Sequence, residues 1–291
     1  MMKTRNYYFK VANNTVATDL DYRFNDECYI IDVAVNCNID LVIAHPKTKL
    51  ILNFNDNIEC FINTVLYHPS FEVAFVFNTG LNCKINEFLL TDDGLEAIDL
   101  EKLVNINKAS RYECSCASFN DAEVAYEVKV QLKGSEATAI HNIACISKGR
   151  NKKQFDVEIV NDAVNTTGIL SNFGVVREQA ALIFNGVGNI KKGACNAQAH
   201  QESRIITFDE KVMAQANPYL IIDEADVEAS HAAAVGQMDE EQLYYLQSRG
   251  ISFNDASLLI TYGYLKPILK NIKNEELKNK LEKIIEEKVM I

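Results

Sequence analysis

The sequence has no tryptophan, only four prolines in 291 residues, and no apolar run approaching the ~20 residues that a membrane helix needs. The last absence excludes a helical membrane protein. The opening MMKTRNYYFK carries cations but no apolar stretch of signal-peptide length behind them, so the chain is expected to stay in the cytosol. Its eight cysteines are then expected as reduced thiols, and at positions 28, 37, 60, 83, 114, 116, 145 and 195 they form no paired CxxC knuckle. No Walker-type GK[ST] ending and no nucleophile elbow occurs, and no Ser, His and Asp set stands in a recognisable context. Positive charge is scarce as well: 29 Lys+Arg face 40 Asp+Glu, a net charge of -11 that falls almost entirely on residues 1–235. Such an acidic body repels phosphate backbones and anionic lipid, which argues against nucleic acid and membrane surfaces as partners and for a protein or a metal.

What the sequence has is alternation. Tyr29, Ile31, Val33 and Val35 share one face of a strand, as do Phe71, Val73, Phe75 and Phe77, and as do Val124, Tyr126, Val128, Val130 and Leu132. Shorter apolar runs at 41–43, 50–54, 155–160, 180–184, 204–208 and 219–222 are separated by Asn, Asp, Gly, Lys and Ser. The body is therefore mainly β. Spacing alone leaves a sandwich and a solenoid open, although the scarcity of proline and of hairpin dipeptides before residue 236 leans toward the solenoid. Residues 1–27 show no clear period and are expected to be irregular or capping, and Asp92–Val104 is expected to hold a short helix.

The chain changes character across 226–250, DVEASHAAAVGQMDEEQLYYLQSRG. Asp239 with Gln242 predicts a capping box and a helix start near Asp239, and Arg249-Gly250 predicts its stop. Ser252 with Asp255 predicts a second start, with Ala256, Leu259, Ile260, Gly263, Tyr264 and Pro267 as its stripe and Pro267 as a kink or end. Asn274 predicts a third, with Leu277, Leu281, Ile284, Ile285 and Val289 on one face. The expected organisation is a β core over 1–235, with an irregular N-terminal segment, and a helical subdomain over 236–291. The helices are read as covering the open end of the β body, docking a partner, or both.

Few residues suggest chemistry. His231 stands among small neighbours, and an imidazole there can ligate iron or relay a proton. Cys114 and Cys116 share a strand face and are read first as buried core thiols, then as a soft-metal pair. His45, His68, His141 and His200 lack a companion at ligand spacing and are read as surface or structural. NGVGNIKKG at 185–193 is read as a turn between strands. Tyr244, Tyr245 and Arg249 are candidate partner anchors, because aromatics and arginine dominate interface energetics.

The 226–250 stretch, with NGVGNIKKGA (185–194), AQAHQES (197–203) and PYLII (218–222), resembles the SufB/SufD family, and the Ser230-His231 pair resembles its SufD branch. The resemblance covers roughly 165–265. It implies a right-handed parallel β-helix with a C-terminal helical subdomain, and a scaffold role, not an enzymatic one, in the SUF system of iron-sulfur cluster assembly. It implies pairing with SufB through the β-helix and with the ATPase SufC through the helices. It places His231, with Glu228 as an acidic neighbour, where a transient iron-sulfur cluster shared with SufB would form, and it leaves no permanent cofactor on the isolated chain. Two departures matter: Ala229 stands where SufD patterns often carry Cys, and the N-terminal helical region common in the family is not expected here. The alternatives are a self-associating β-helix module, homodimeric without SufB, and a β-helix carbohydrate-active enzyme, against which the absence of tryptophan argues.

Overall fold

The structure is a computed structural model and describes residues 5–12, 15–66, 70–91, 96–269 and 275–289. Strands dominate up to residue 237: β1 (Arg5–Ala12), β2 (Thr15–Thr18), β3 (Arg23–Asn25), β4 (Cys28–Val33), β5 (Cys37–Ala44), β6 (Lys47–Phe54), β7 (Glu59–Leu66), β8 (Ser70–Thr79), β9 (Lys84–Thr91) and β10 (Ala97–Ile106). They continue as β11 (Arg111–Ser118), β12 (Glu123–Leu132), β13 (Thr138–Ser147), β14 (Lys152–Asn161), β15 (Thr167–Val176), β16 (Ala181–Ile190), β17 (Ala197–Thr207), β18 (Met213–Ile222) and β19 (Val227–Gln237). Three helices follow, α1 (Glu240–Ser248), α2 (Phe253–Leu269) and α3 (Glu275–Val289). From β4 onward the odd strands stack in parallel in one sheet and the even strands in another, so the chain winds as a parallel β-solenoid of about eight turns. This is the architecture that the family resemblance implied and that spacing alone left open.

Each turn of the winding, a rung, buries its inward column and wets its outward one, which is the alternation visible in the sequence. On β12 the inward residues are Val124, Tyr126, Val128, Val130 and Leu132, all buried. Outward polar residues form their own ladders. Asn53 donates its amide to Asp32 (2.9 Å), Asn78 to Asn53 (2.9 Å) and Asn105 to Asn78 (2.7 Å), so a carboxylate ends a run of side-chain amides stacked one per rung.

The corner preceding each odd strand from β7 to β17 repeats one backbone device. Asn57, Asn82, Ala109, Glu136, Asn165 and Asn196 have φ between 54° and 63°. Each N–H donates to a carbonyl of the next rung, from Asn57 to Leu81 (2.7 Å) through Asn196 to Asp226 (2.7 Å). Asparagine tolerates this left-handed conformation well, and alanine and glutamate do so at a cost. Ala109→Gly is therefore expected to stabilise the chain by about 0.5–1 kcal/mol, read from urea unfolding midpoints; a loss of stability there refutes strain at that corner. The rungs also lengthen along the chain: paired positions lie 21 residues apart between β4 and β6 (Cys28 and Lys49) and 32 apart between β16 and β18 (Ala181 and Met213). A repeat that drifts by a third of its length leaves no fixed motif.

Three expectations are corrected here. Residues within 1–27 cap the sheets, as one of the two readings held, but with strands and not irregular chain: β2 pairs antiparallel with β1 and β3 with β4, covering the first rung of each sheet, and Phe9, Tyr22, Phe24 and Tyr29 pack edge to face or tilted at that end. The helix expected over 92–104 is strand β10 from Ala97, with 92–95 outside the described residues. Ile98, Leu100, Lys102, Val104 and Ile106 alternate inward, and the lysine in that column disguised the pattern. The helices do not cover the open end. Leu265, Leu281, Ile284 and Ile285 lie on the outer flank of the odd-strand sheet, against Leu90, Ala117, Ala144, Ile146, Phe173 and Val175. This is why β11, β13 and β15 are buried on both faces in their second halves. Each of those helix side chains contributes roughly 1.5–3 kcal/mol of burial.

Within the helices, the Asp239 cap forms as expected, accepting from Glu241 (2.9 Å) and Gln242 (3.3 Å), and Ser252 and Asp255 form the second box. The buried stripe of α2 runs instead through Ala256, Ser257, Thr261 and Leu265, leaving Leu259 exposed, and the helix continues past Pro267 to Leu269. Leu281, Ile284 and Ile285 are buried on α3 as its sequence predicts; Asn274 lies outside the described residues. No helix is long and apolar enough to cross a membrane among the described residues.

Candidate functional site

His231 lies on β19, the last strand of the odd-strand sheet. Its register partner on β17 is Gln201, which is buried and faces inward, so His231 belongs to the inward column but has no further rung above it. It is exposed at the open end of the solenoid, and no side-chain hydrogen bond holds its ring among the described residues. Ala229 and Ala233 flank it on the same face. Glu228 and Ser230 point the other way: Gln198 Nε2 donates to Glu228 Oε2 (3.3 Å), and His200 Nδ1 shares a hydrogen bond with Ser230 Oγ (2.8 Å) on the outer face. The structure thus sets Glu228 and His231 on opposite faces of one strand.

The floor beneath His231 was not read from the sequence. Gln201 reaches across the interior and donates through Nε2 to the Tyr219 carbonyl of β18 (2.8 Å), while its buried Oε1 has no hydrogen-bond partner among the described residues. Room for that side chain comes from Gly186 and Gly188. A Cβ at either would stand 2.7 Å from Gln201 Oε1 or 2.9 Å from Gln201 Nε2. The segment read as a turn, NGVGNIKKG, is therefore strand β16 as far as Ile190, and only its end turns. Its glycines are inward positions emptied for Gln201. The signal was an alternating G-x-G inside an apolar run, which marks a close approach as readily as a loop.

Following the same column inward gives Leu170, His141, Cys114 and Glu87 on successive odd strands. Leu170 is buried and separates the polar groups below it from the mouth. Below lies a closed network. Lys102 Nζ donates to both Glu87 oxygens (2.5 and 2.6 Å), Tyr112 OH to Oε2 (2.5 Å) and Thr64 Oγ1 to Oε1 (3.1 Å), with the ammonium also over the Phe75 and Phe77 rings. Every acceptor site of the carboxylate has a donor, the arrangement that makes a buried ion pair tolerable. Burial pushes the Cys114 thiol up to about 12 and raises that of Cys116 as well, so both stay protonated at neutral pH, and desolvation makes them core thiols. No group of three or more His, Cys, Asp or Glu side chains arranged to hold a metal ion occurs among the described residues.

His141 shares a 3.0 Å hydrogen bond with Tyr126 OH, and desolvation lowers its pKa to about 3. An unfolded histidine titrates near 6.5, so the unfolded chain takes up a proton at mildly acid pH that the folded chain refuses. The associated stability is present in full above pH ~6.5 and declines as pH falls toward 3. At pH 5 the loss relative to neutral pH is expected to be about 2 kcal/mol. Comparing urea unfolding of the wild type and His141→Gln at pH 7.5 and pH 5 checks this: equal acid losses in both chains would refute it.

The open end itself is unusual. β18 and β19 each present one unpaired edge, and Tyr219 (56 % exposed), Ile221, Ile222 and Val235 lie exposed around it. A second uncovered surface is α1, none of whose residues is buried: Tyr244 is 74 % exposed, and Tyr245 is held beneath the Arg249 guanidinium (5.4 Å), which also donates to its hydroxyl (3.2 Å).

Residues 76–264 match the family model described as SUF system FeS cluster assembly, SufBD core domain. The chain is 38 % identical over 180 residues to the iron-sulfur cluster assembly protein SufD of Bacillus subtilis, a match covering 62 % of this chain and 41 % of that protein. It is 30 % identical over 107 residues to SufD of Escherichia coli, covering 37 % and 25 %, and 28 % identical over 145 residues to SufB of Bacillus subtilis, covering 50 % and 31 %. The matched stretch thus spans less than half the length of each of these relatives. With two sheets wound as one parallel solenoid and a family match across most of it, the chain belongs to the SufBD core family of the SUF iron-sulfur cluster assembly system.

Proposed function

We propose that this chain is a SufD-like scaffold subunit that pairs, through the open end of its solenoid, with a SufB-like protein, and that His231 offers one ligand to a nascent iron-sulfur cluster held between them. The observation that carries the reading is the position of His231: an exposed imidazole in the inward column of the last rung, on β19, whose outer edge is unpaired like that of β18. A partner that adds strands to β18 and β19 would satisfy their free N–H and C=O groups, bury Tyr219, Ile221 and Val235, and bring its own residues over His231. One imidazole does not hold a cluster, so the other ligands, thiolates by preference, come from the partner, and the cluster is cargo shared across the interface. Glu228, on the outer face, contributes to the rim of the interface and not to the ligand set. The chain is not itself a catalyst. A SufC-like ATPase docks on the helical region, with Tyr244, Tyr245 and Arg249 as anchors, and its nucleotide cycle moves the helices against the flank of the odd-strand sheet.

Co-purification tests this. The tagged chain, expressed with SufB-like and SufC-like proteins, is expected to elute as a ternary complex carrying iron and sulfide. Elution as a homodimer with affinity for neither would show that the open end is self-complementary and would overturn the reading. Tyr244→Ala with Arg249→Ala is expected to release the ATPase and leave the SufB-like partner bound.

A further inference from the structure

At the other end of the solenoid, far along the chain from His231, Cys37 of β5 and Cys60 of β7 are register partners on neighbouring parallel strands, both inward-facing and fully buried. Their sulfurs lie 3.6 Å apart. Register partners on adjacent strands have Cα atoms about 4.7–4.9 Å apart, inside the roughly 4.4–6.8 Å range that a disulfide spans. Closing the bond therefore needs side-chain rotation and no shift of register. Residues 34–36 and Glu59, the chain neighbours of the pair, are exposed, and Glu59 N–H donates to Asn36 Oδ1 (2.8 Å), so the pair adjoins a solvent-facing corner. The other thiols differ. Cys114, Cys116 and Cys145 lie deep in the central rungs, Cys83 is buried with its thiol donating to the Asn55 carbonyl (3.1 Å), and Cys28 and Cys195 are half-buried and not paired with one another.

We propose that Cys37 and Cys60 form a modification site at which a hydroperoxide oxidises the two thiols to a disulfide linking adjacent rungs. Cys37 is the attacking sulfur. The hydrogen bond with Cys60 lowers its pKa, and Cys60, whose own thiol is raised by the same contact and by burial, keeps the proton. The Cys37 thiolate attacks one peroxide oxygen: an S–O bond forms, the O–O bond breaks, and the departing hydroxide is protonated to water. The Cys60 sulfur then attacks the Cys37 sulfenic acid. An S–S bond forms, the S–O bond breaks, and the hydroxyl leaves as a second water with the Cys60 proton. Two thiols lose two electrons and two protons, and hydrogen peroxide takes both. The product pins β5 to β7 covalently, next to the end where only the short strands β2 and β3 cover the sheets.

The test treats the folded full chain with hydrogen peroxide, removes the peroxide, then denatures, alkylates and maps peptides by mass spectrometry. Expected are a Cys37–Cys60 linked peptide in most molecules, a mass loss of about 2 Da per chain reversed by dithiothreitol, and slower proteolysis within residues 5–66. In Cys60→Ser, Cys37 is expected to stop at a sulfenic acid that dimedone traps, whereas Cys60 in Cys37→Ser is not trapped. Circular dichroism confirms that both variants fold. If Cys28 and Cys195 are oxidised while Cys37 and Cys60 alkylate as free thiols, the site does not exist. A linkage that forms only when the chain is unfolded before peroxide overturns the proposal equally.

Discussion

Lys102→Met is expected to destabilise the chain by about 3–5 kcal/mol, the usual cost of leaving one partner of a buried ion pair without the other. Lys102 and Glu87 have no exposed side-chain surface, and the ammonium supplies two of the four donors on the carboxylate. Tyr112 and Thr64 remain after the substitution, but two neutral hydroxyls do not balance a charge cut off from water. Urea unfolding followed by circular dichroism would show the loss. The diagnostic comparison is the double variant, Glu87→Leu with Lys102→Met. Removing both charges is expected to restore more than half of the stability, the remaining deficit coming from the orphaned Tyr112 and Thr64 hydroxyls at about 1–3 kcal/mol each. A single variant that loses less than about 1 kcal/mol would mean that water reaches Glu87, and the description of this network as closed would be wrong.

His231→Ala carries the largest functional effect. Its ring is exposed and carries no side-chain hydrogen bond among the described residues, so the substitution is expected to change the stability of the chain by no more than about 0.5 kcal/mol and to leave partner binding in place. Iron and sulfide retained by the purified complex are expected to fall at least about tenfold, since even outer-shell partners of metal ligands cost that much when removed. His231→Cys, which restores a soft donor at the same point, is expected to recover part of the cluster. Glu228→Gln, on the other face of β19, is expected to change it by less than about twofold. Unaltered iron and sulfide in the His231→Ala complex would remove the residue from the mechanism while leaving the scaffold role standing. Loss of the complex itself would instead assign His231 to the interface.

The sequence by itself determined the elements whose signal is local. Alternation at Val124–Leu132 required a half-wetted strand, Asp239 and Gly250 bounded a helix through cap chemistry, and the Ser230-His231 neighbourhood pointed to the family. These depend on one face or one helix end at a time. The tertiary structure decided whatever depends on neighbours 21 to 32 residues away. Lys102 in an inward column looks like a break in a strand until Glu87 on the facing sheet neutralises it. Gly186 and Gly188 look like a turn until Gln201 fills the space they leave. The left-handed corners carry no uniform residue signal, because two of the six are Ala109 and Glu136, residues with no preference for that conformation, held there by hydrogen bonds to the next rung. Glu228 and His231 are neighbours in sequence, three apart, and the pleat of β19 turns them to opposite faces. A side chain's direction on a strand is local, but which direction is inward depends on the rung below, and only the winding of the chain supplies that rung.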